Sequence, residues 1–461
     1  MERFDVVIVG ARCAGSSLAN FLARRGVRVC VVDLAEFPSD TPSTHILQPN
    51  GIVHLKKLGV FDRLVAAGVP ELTKFTIVAG QARIFIEIDP AEFGGPGMCA
   101  RRVTLDEVLV DAARGAGAEV RTGVRMTGLL RDDSGRVVGI ETNEGPIGAE
   151  VVIGADGRRS TIADLVGARE YGVAPPGRMF MWGYFTGVSN REPHVRLARL
   201  GDLAYLSSPC DGDEFLVAVV PSMSRKHEFM ADRERSLRDG IRAWPELHDI
   251  VGEAELAGPI RAVTSWHGFF RESAGPGWAL LGDAGQFKDP TAGQGISDSL
   301  RHSAHLADAV VGGLRGGPAA MDAQLRRWWL WRDRDCREIH WLSADLGAPG
   351  PVPPVREAVF ADIAADADAS LAFMKVLNHD GRPSKVFSAG RMVRAAARLV
   401  RQHPDMRREI MREVGELIGD NVRHTRLDRP RNRATAFRRS RRPVARRESA
   451  SETVATSASH S

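Results

Sequence analysis

VVIVGARCAGSSLANFL, residues 6–22, is the stretch that decides the fold of this 461-residue chain. Residues 6–9 form a β-branched run that predicts a buried strand, and residues 14–25 repeat apolar side chains at the spacing of a helix. Residues 27–32 are a second apolar run. Two strands joined by a helix predict a βαβ unit, whose strands are parallel and buried on both faces.

The turn inside this unit has the pattern of a dinucleotide site. We expect the backbone of Gly10, Ala14 and Gly15 to face a pyrophosphate, because glycines allow close approach and the helix N-terminus attracts anions. Asp33, at the end of the second run, is placed to accept hydrogen bonds from an adenosine ribose. Arg12 replaces the usual middle glycine, so we expect its side chain to point away from the turn, where it could pair with phosphate.

Composition favours a globular protein with a charged tail. Hydrophobic residues make up 43% of the chain and charged residues 26%. The formal net charge is +4, yet residues 423–447 hold eleven Arg and one Asp, so the remainder is mildly acidic. We therefore expect a disordered Arg-rich tail over 423–461 and no nucleic-acid partner, although that tail leaves the question of nucleic-acid binding open.

Cysteine usage and hydropathy indicate the compartment. The five cysteines are scattered without a C-x-x-C pair, so we expect neither a disulfide framework nor a metal site. The N-terminus shows no secretory signal, and no apolar stretch is long enough to span a membrane. We expect a cytoplasmic protein.

Two later segments add to the first motif. EVVIGADGRRS, residues 150–160, runs from a strand into a sharp turn that presents Asp156. WALLGDAGQFKDPTAGQGIS, residues 278–297, places Gly282 and Asp283 after a strand and an exposed loop around Pro290 before a helix. That helix opens with four residues that we expect beside a cofactor ring: Gly293, Gln294, Gly295 and Ile296.

These three motifs, in this order, resemble those of the FAD-dependent monooxygenases of the para-hydroxybenzoate hydroxylase type. The resemblance spans about residues 4–311 and extends more loosely to flavin halogenases and geranylgeranyl reductases. It implies that Asp283 binds a ribityl hydroxyl of FAD and that Asp156 supports the pyrophosphate side and the approach of the nicotinamide cofactor. It places Pro290 and the helix start beside the isoalloxazine ring, where the helix dipole stabilises the reduced flavin.

The resemblance leaves some site residues open. A basic residue near the flavin corresponds to Arg101 or Arg102, and the sequence does not choose between them. His45 lies in a polar loop that the family places against the flavin, and it is a candidate proton carrier or nicotinamide contact. An ordinary loop histidine is the alternative. Gly285 and Gln286 stand where relatives often carry histidine, so a proton route through that position is not expected here.

The predicted fold is α/β (α+β). It comprises an FAD-binding Rossmann-like domain with a parallel sheet and a β-meander, a sheet-rich substrate domain, and a helical C-terminal region. The predicted boundaries are 1–73, 99–175 and 271–315 for the three parts of the FAD-binding domain, 74–98 and 176–270 for the substrate domain, 316–422 for the helical region and 423–461 for the tail.

Aromatic residues gather in the predicted substrate domain. Phe180, Trp182 and Tyr184 alternate along one strand and share a face, where they either line an apolar pocket or pack in the core. Trp328, Trp331 and Trp341 lie in a basic helix that could cover the active site, dock on the FAD-binding domain or contact a second subunit.

The function expected from the resemblance is that of a flavoprotein monooxygenase. NAD(P)H would reduce FAD, and a flavin C4a-hydroperoxide would hydroxylate or epoxidise an apolar, perhaps aromatic, small molecule with oxygen from O₂. A flavin halogenase is one alternative, but its W-x-W-x-I-P signature is absent from the sequence. An alkene reductase of the geranylgeranyl type is a second, and a non-enzymatic flavoprotein with a nucleic-acid- or membrane-binding tail is a third. The sequence predicts no oligomeric state.

Overall fold

The structure, a computed structural model, describes residues 1–43 and 45–424. The predicted tail lies outside the described residues from residue 425 onward. None of the described helices is long and apolar enough to cross a lipid bilayer.

Short strands dominate the first two thirds of the chain. The described strands, in chain order, are β1 (Glu2–Val9), β2 (Val29–Val32), β3 (Ile46–Leu47), β4 (Glu71–Leu72), β5 (Lys74–Ala79), β6 (Ala82–Glu87), β7 (Gly97–Cys99), β8 (Glu119–Arg121), β9 (Met126–Arg131), β10 (Val137–Thr142), β11 (Gly145–Gly154), β12 (Glu170–Ala174), β13 (Phe180–Thr186), β14 (His194–Leu200), β15 (Leu203–Pro209), β16 (Phe215–Pro221), β17 (Glu255–Leu256), β18 (Arg261–Val263), β19 (Gly268–Arg271), β20 (Ala274–Gly275), β21 (Trp278–Leu280) and β22 (Gln286–Phe287).

Helices connect these strands and form the last third of the described chain. They are α1 (Cys13–Ala23), α2 (Pro49–Leu58), α3 (Phe61–Ala66), α4 (Pro90–Phe93), α5 (Arg102–Gly115), α6 (Thr161–Val166), α7 (Lys226–Ala231), α8 (Arg233–Arg242), α9 (Pro245–Val251), α10 (Gly295–Leu314), α11 (Gly317–Leu346), α12 (Pro354–Ala364), α13 (Ala367–Leu377), α14 (Pro383–Val386), α15 (Ala389–Gln402) and α16 (Arg407–His424).

The first large sheet has a parallel centre, in the order β21-β11-β1-β2-β8. The predicted βαβ unit is its middle: residues 6–9 of β1 pair in parallel with β2 on one side and with β11 on the other. An antiparallel meander of β9, β10 and β11 continues the sheet. The central strands are apolar and buried on both faces, with α1, α5 and α10 contributing to the core on one side.

The second large sheet, in the order β17-β13-β16-β15-β14-β5-β6, is mostly antiparallel. Its one parallel pairing joins β14 to β5, which brings the hairpin of β5 and β6 into the sheet from far along the chain. Residues of α7, α8 and α9 pack in the core on one face, and residues of α11 to α16 pack in the core on the other. This combination of a parallel sheet, an antiparallel sheet and C-terminal helices confirms the predicted fold class.

The predicted tryptophan helix is α11. Trp328 is buried in the core beside the parallel sheet, and its indole nitrogen donates to the carbonyl oxygen of His302, at 3.2 Å. Trp331 packs against the His305 ring, whose centroid is 4.0 Å away. Trp328 and Trp331 therefore pack on the FAD-binding side of the molecule, which is one of the three predicted roles of this helix. Trp341 instead lines a separate cavity described below.

Candidate active site

The turn between β1 and α1 leaves no room for side chains at its two glycines. A Cβ atom on Gly10 would lie 2.4 Å from the carbonyl oxygen of Ala155, and one on Gly15 would lie 1.8 Å from the carbonyl oxygen of Gly10. Gly10 also has a φ of 104°, which favours glycine. No side chain caps the N-terminus of α1. Its first amide groups, which lack partners within the helix, are therefore available to an anion in the adjoining groove.

Asp33 lies at the end of β2 and lines the same groove. Its carboxylate accepts hydrogen bonds from the backbone amides of Ala11, at 2.6 Å, and Ala35, at 2.8 Å. These two bonds hold the carboxylate beside the fingerprint turn. The carboxylate has further acceptor sites beyond the two in use, so it can also accept hydrogen bonds from hydroxyl groups of a ligand in the groove.

Two arginines share one buried carboxylate at the groove wall. Arg12 donates to Asp106 at 2.9 Å, and Arg102 donates to both carboxylate oxygens, at 2.8 and 2.9 Å. The Cys13 thiol also donates to Asp106, at 3.1 Å. Two cations against one anion leave a net positive charge beside the turn, which suits a pyrophosphate. Asp106 is a site residue that the sequence did not reveal, because its partner Arg12 lies 94 positions away in the chain.

Arg101 and Arg102 point in different directions. Arg102 lines the groove, whereas the Arg101 guanidinium pairs with Asp211, at 2.9 Å, and with Glu214, at 2.9 Å. Arg101 is not among the groove-lining residues. The sequence did not choose between these two basic residues. Of the two, only Arg102 lines the groove with the other predicted site residues.

The turn at Asp156 supports the fingerprint turn through the backbone. The amide of Ala155 donates to the carbonyl oxygen of Val9, at 2.7 Å. One carboxylate oxygen of Asp156 accepts from the amide of Ile162, at 3.2 Å, and the other has no hydrogen-bond partner among the described residues. Burial raises the pKa of this carboxyl above its usual range. Asp156 thus lines the groove while one oxygen binds the start of α6.

Gly282 and Asp283 form a turn that touches α1. A Cβ on Gly282 would lie 3.0 Å from the Cβ of Ala14, so the first and third motifs meet here. The Asp283 carboxylate lines the groove, and no described residue donates a hydrogen bond to it. Burial raises its pKa to about 6, against the opposing effect of nearby Arg102. A half-buried carboxylate that faces the groove without a protein donor fits a hydroxylated ligand, whose O–H groups would supply hydrogen bonds.

The loop that begins at Asp289 closes the groove at its far end. Asp289 is buried, not exposed as the sequence suggested, because its carboxylate caps the following turn through the Thr291 amide, at 2.9 Å, and hydroxyl, at 2.6 Å. Burial raises its pKa to about 7. Pro290 follows and lines the groove. The loop ends at Gly293, whose φ of 63° lies in the left-handed region that favours glycine.

Helix α10 begins at the groove without a side-chain cap. Gly295 and Ile296 line the groove, and a Cβ on Gly295 would meet open space. The side chain of Gln294 points elsewhere, since its amide nitrogen donates to the carbonyl oxygen of Leu377, at 2.7 Å. Gln294 therefore ties the start of α10 to the C-terminal helices.

The groove connects the three motifs in a single cavity of about 620 Å³ that reaches from Asp33 past Asp283 to Pro290. The groove fits FAD. The N-termini of α1 and α10 have no side-chain cap, Arg12 and Arg102 together outweigh the charge of Asp106, and the Asp283 carboxylate has no donor among the described residues. Phe180 and Trp182 of the aromatic strand form part of its wall.

A second cavity, of about 350 Å³, lies on the other side of Pro290. We call it the apolar cavity. Its walls come from β5, β14, β15 and β16 on one side and from α11 to α16 on the other. Phe180 and Pro290 line both cavities, so the groove and the apolar cavity adjoin at these two residues. The sequence left open that the helix of Trp341 covers the active site, but it did not predict that α12 to α16 line this cavity.

His45 occupies a buried position between the two cavities. It has a φ of 60°, and its Nε2 lies 2.7 Å from the Tyr184 hydroxyl. Burial lowers its pKa to about 3, so the ring is neutral at neutral pH. The ring of Trp182 meets it edge-on, with centroids 6.4 Å apart. His45 lines neither cavity, although Ser43 lines the groove and Ile46 lines the apolar cavity.

Among the described residues, one group of possible metal ligands lies at the groove, whose wall includes His302. The ligand atoms of His302, Asp335 and Cys336 lie within 4.8 Å of one another. Asp335 is already paired with Arg301. Burial raises the pKa of the Cys336 thiol to about 12. Because Arg301 already neutralises the Asp335 carboxylate, the group takes part in an ion-pair network.

Comparison with known proteins agrees with this geometry. Residues 3–324 match the family described as FAD binding domain. The chain is 29% identical over 344 residues to a menaquinone reductase of Mycolicibacterium smegmatis, covering 68% of this chain and 77% of the relative. It is 28% identical over 327 residues to a 6-methylpretetramide 4-monooxygenase of Streptomyces rimosus, covering 68% and 76%. The solved structure of the flavin-dependent brominase Bmp2 has the same fold, with a TM-score of 0.73 and 19% identity over 87% of this chain and all of that one.

Proposed function

The chain belongs to the FAD binding domain family of FAD-dependent oxidoreductases, and on that premise we propose that it is a monooxygenase of an apolar small molecule. Its co-substrates in this proposal are NAD(P)H and O₂. The observation that carries the proposal is the junction of the two cavities at Phe180 and Pro290. A cofactor ring at the end of the groove would there face a substrate in the apolar cavity.

The groove residues have distinct tasks in this proposal. Asp33 accepts hydrogen bonds from the ribose, and the amides at the start of α1 bind the pyrophosphate beside Arg12 and Arg102. Asp283 accepts hydrogen bonds from the ribityl chain. The N-terminus of α10, with Gly295 at its first position, stabilises negative charge on the reduced ring. Bound FAD supplies the electron transfer and the activation of oxygen.

The apolar cavity excludes water from the reacting groups. Aliphatic and aromatic side chains of the antiparallel sheet, such as Phe75 and Leu206, form its floor, and Phe360 and Phe373 of the helices form its roof. Such a lining places a flat or aliphatic substrate against Pro290 and keeps water away from the reaction.

His45 has a positioning role in this proposal. A catalytic proton carrier needs contact with the reacting groups, whereas the His45 ring contacts Tyr184 and Trp182 and lines neither cavity. Its neutral ring fixes the Tyr184 hydroxyl and the edge of Trp182, which lines the groove. We infer that His45 shapes the groove wall through these two aromatic side chains.

A reductase is the second candidate, because one of the relatives reported above is named menaquinone reductase. A reductase adds two hydrogens to an apolar alkene, whereas a monooxygenase adds one oxygen atom. The same groove and apolar cavity serve either reaction, so the geometry alone favours neither.

The test measures which atoms the product gains. The FAD-loaded protein is incubated with NADPH or NADH and a panel of apolar aromatics and alkenes, once under ¹⁸O₂ and once without oxygen. Products that carry one ¹⁸O, formed only with oxygen, support the monooxygenase. Products that gain two hydrogens without oxygen overturn it in favour of the reductase. A protein that binds FAD without oxidising either nicotinamide cofactor or changing any substrate would contradict both.

A further inference from the structure

We propose that the apolar cavity selects an uncharged substrate with an extended apolar body, which enters from the end formed by α14, α15 and α16. This inference rests on the proposed function, in which the cavity beside Pro290 is the substrate site. It adds the charge, the shape and the direction of approach of the substrate.

The end of the cavity next to the groove is lined mainly by apolar side chains, with the neutral side chains of Gln48 and Thr291 among them. Ile46, Phe180 and Ala292 line it beside Pro290, and all three are buried. The wall continues away from Pro290 with apolar side chains of the sheet and the helices, namely Phe75, Ile77, Val195, Leu197, Leu206, Val359, Phe360, Phe373, Met374 and Leu377. A substrate therefore meets apolar surface well beyond the reacting end.

The cations described in the cavity wall are engaged by the protein. The Arg199 guanidinium donates to the carbonyl oxygens of Pro349, Gly350 and Pro351, at 3.0 to 3.2 Å. Arg356 pairs with Asp345, at 3.4 Å. Carbonyl oxygens hold the Arg199 guanidinium without neutralising its charge, but the carboxylates of Glu338, Asp345 and Asp420 also line the wall and repel a further anion. The transfer of a carboxylate substrate into this cavity is therefore unfavourable.

The cavity reaches the surface at α14, where Ser384 lines it and is exposed. Met392 of α15 and Leu417 of α16 also line it, and these two helices pack against each other. The groove lies at the other end, where Pro290 separates the two cavities. Access from the α14 to α16 end brings one terminus of the substrate to Pro290 and leaves the remainder among the helices.

Binding to the FAD-loaded protein tests this inference independently of turnover. The probes are phenols with para-methyl, para-butyl and para-octyl chains, and para-octylphenol is compared with its ortho-carboxylated analogue. Affinity is measured by isothermal titration calorimetry. We expect it to rise about fourfold for each buried methylene, from about 0.8 kcal/mol per methylene. We expect the carboxylated analogue to bind at least about 100-fold more weakly, because its charge is buried without a partner.

Two neighbouring substitutions test the direction of approach. Met392→Trp narrows the α14 to α16 end, whereas Val393→Trp places the same side chain on an exposed position, 54% exposed, that does not line the cavity. We expect Met392→Trp to weaken binding of para-octylphenol at least about tenfold and to leave para-methylphenol within about twofold. Val393→Trp should change neither. Circular dichroism and FAD content confirm that both variants are folded.

The outcomes separate this inference from the proposed function. Affinity that does not change with chain length, or equal affinity for the carboxylated analogue, overturns the inference even if the protein is a monooxygenase. Equal effects of the two tryptophan variants overturn the direction of approach. Selective binding of long neutral phenols without oxygen transfer leaves the inference intact and contradicts the monooxygenase.

Discussion

The Tyr184 hydroxyl lies 2.7 Å from Nε2 of His45, and both side chains are buried beside Trp182. Tyr184 belongs to β13 of the antiparallel sheet, and His45 directly precedes β3, which pairs with β7. The hydrogen bond therefore connects the substrate-side sheet to the loop along the groove. His45 adopts a left-handed backbone conformation at this contact, which is rare for a residue with a side chain.

Removing the tyrosine hydroxyl should destabilise the fold. Tyr184→Phe leaves the buried Nε2 of His45 without its partner, so we expect a loss of about 1–3 kcal/mol in the free energy of unfolding. Urea unfolding followed by tryptophan fluorescence measures the change. Tyr205→Phe is the matched control, because the Tyr205 hydroxyl forms no hydrogen bond within the described residues. Equal losses in the two variants would refute the importance of the contact.

The buried His45 should make stability depend on pH. Its pKa in the folded protein is about 3, below the ordinary value of about 6.5 in an unfolded chain. Between these values the unfolded chain binds an additional proton, so stability falls as the pH drops below about 6.5. The contribution amounts to about 1.6 kcal/mol between pH 6.5 and 5. His45→Asn, which tolerates the left-handed backbone, should lose that much less stability over this range than the parent. Urea titrations at the two pH values test it, and parallel losses would contradict the buried neutral ring.

The adjacent arginines provide a matched pair of variants. Arg102→Met removes a cation that lines the groove, and we expect FAD affinity to fall roughly 10- to 100-fold, the effect of a lost charge-assisted hydrogen bond. Arg101→Met removes a cation bound to Asp211 and Glu214, so FAD affinity should stay within about threefold. Fluorescence titration of the apoprotein with FAD measures both. A larger effect of Arg101→Met would reverse the assignment.

The glycines of the fingerprint turn predict a steric effect. Gly15→Ala would place a Cβ 1.8 Å from the Gly10 carbonyl oxygen, so we expect loss of FAD binding or of folding. Gly115→Ala is the control, since its Cβ would meet no atom within 4 Å and alanine favours the helix. We expect that variant to bind FAD like the parent and to be equally or more stable in thermal unfolding. Normal FAD affinity in Gly15→Ala would contradict the described turn.

The sequence predicted the features that short segments determine. The βαβ unit follows from two buried runs and a helix within about 30 residues, and its strands pair in parallel as expected. The family and the fold class followed from three motifs whose residues are each local in sequence, and both are confirmed. Such motifs are readable because each one specifies a turn and its glycines within a few positions.

Side-chain partners that come from far along the chain were not predictable. Asp106 meets Arg12 from 94 positions away, and Asp211 orients Arg101 from 110 positions away. Nothing in the local pattern distinguishes Arg101 from Arg102. The apolar cavity shows the same limit, because helical periodicity marks which face of a helix is apolar and not which part of that face lines a cavity.

Asp283 predicts how FAD binding depends on pH. Its carboxyl lines the groove with a pKa of about 6, raised by burial, and no described residue donates to it. Hydroxyl groups of a bound ribityl chain would donate to the ionised form and favour it, so binding lowers this pKa. By linkage, FAD affinity is then highest above pH 6 and falls as the pH drops through 6, by up to about tenfold per pH unit.

Asp283→Ala should lose FAD binding, whereas Asp283→Asn keeps an acceptor and should bind FAD more weakly but without this pH dependence. Titrations with FAD at pH 7.5 and 5 measure the effect. The control is Asp308→Asn, which removes an exposed acid of α10 that pairs with Arg25. An unchanged affinity and an unchanged flavin spectrum in Asp283→Ala would show that this carboxylate does not hold the cofactor.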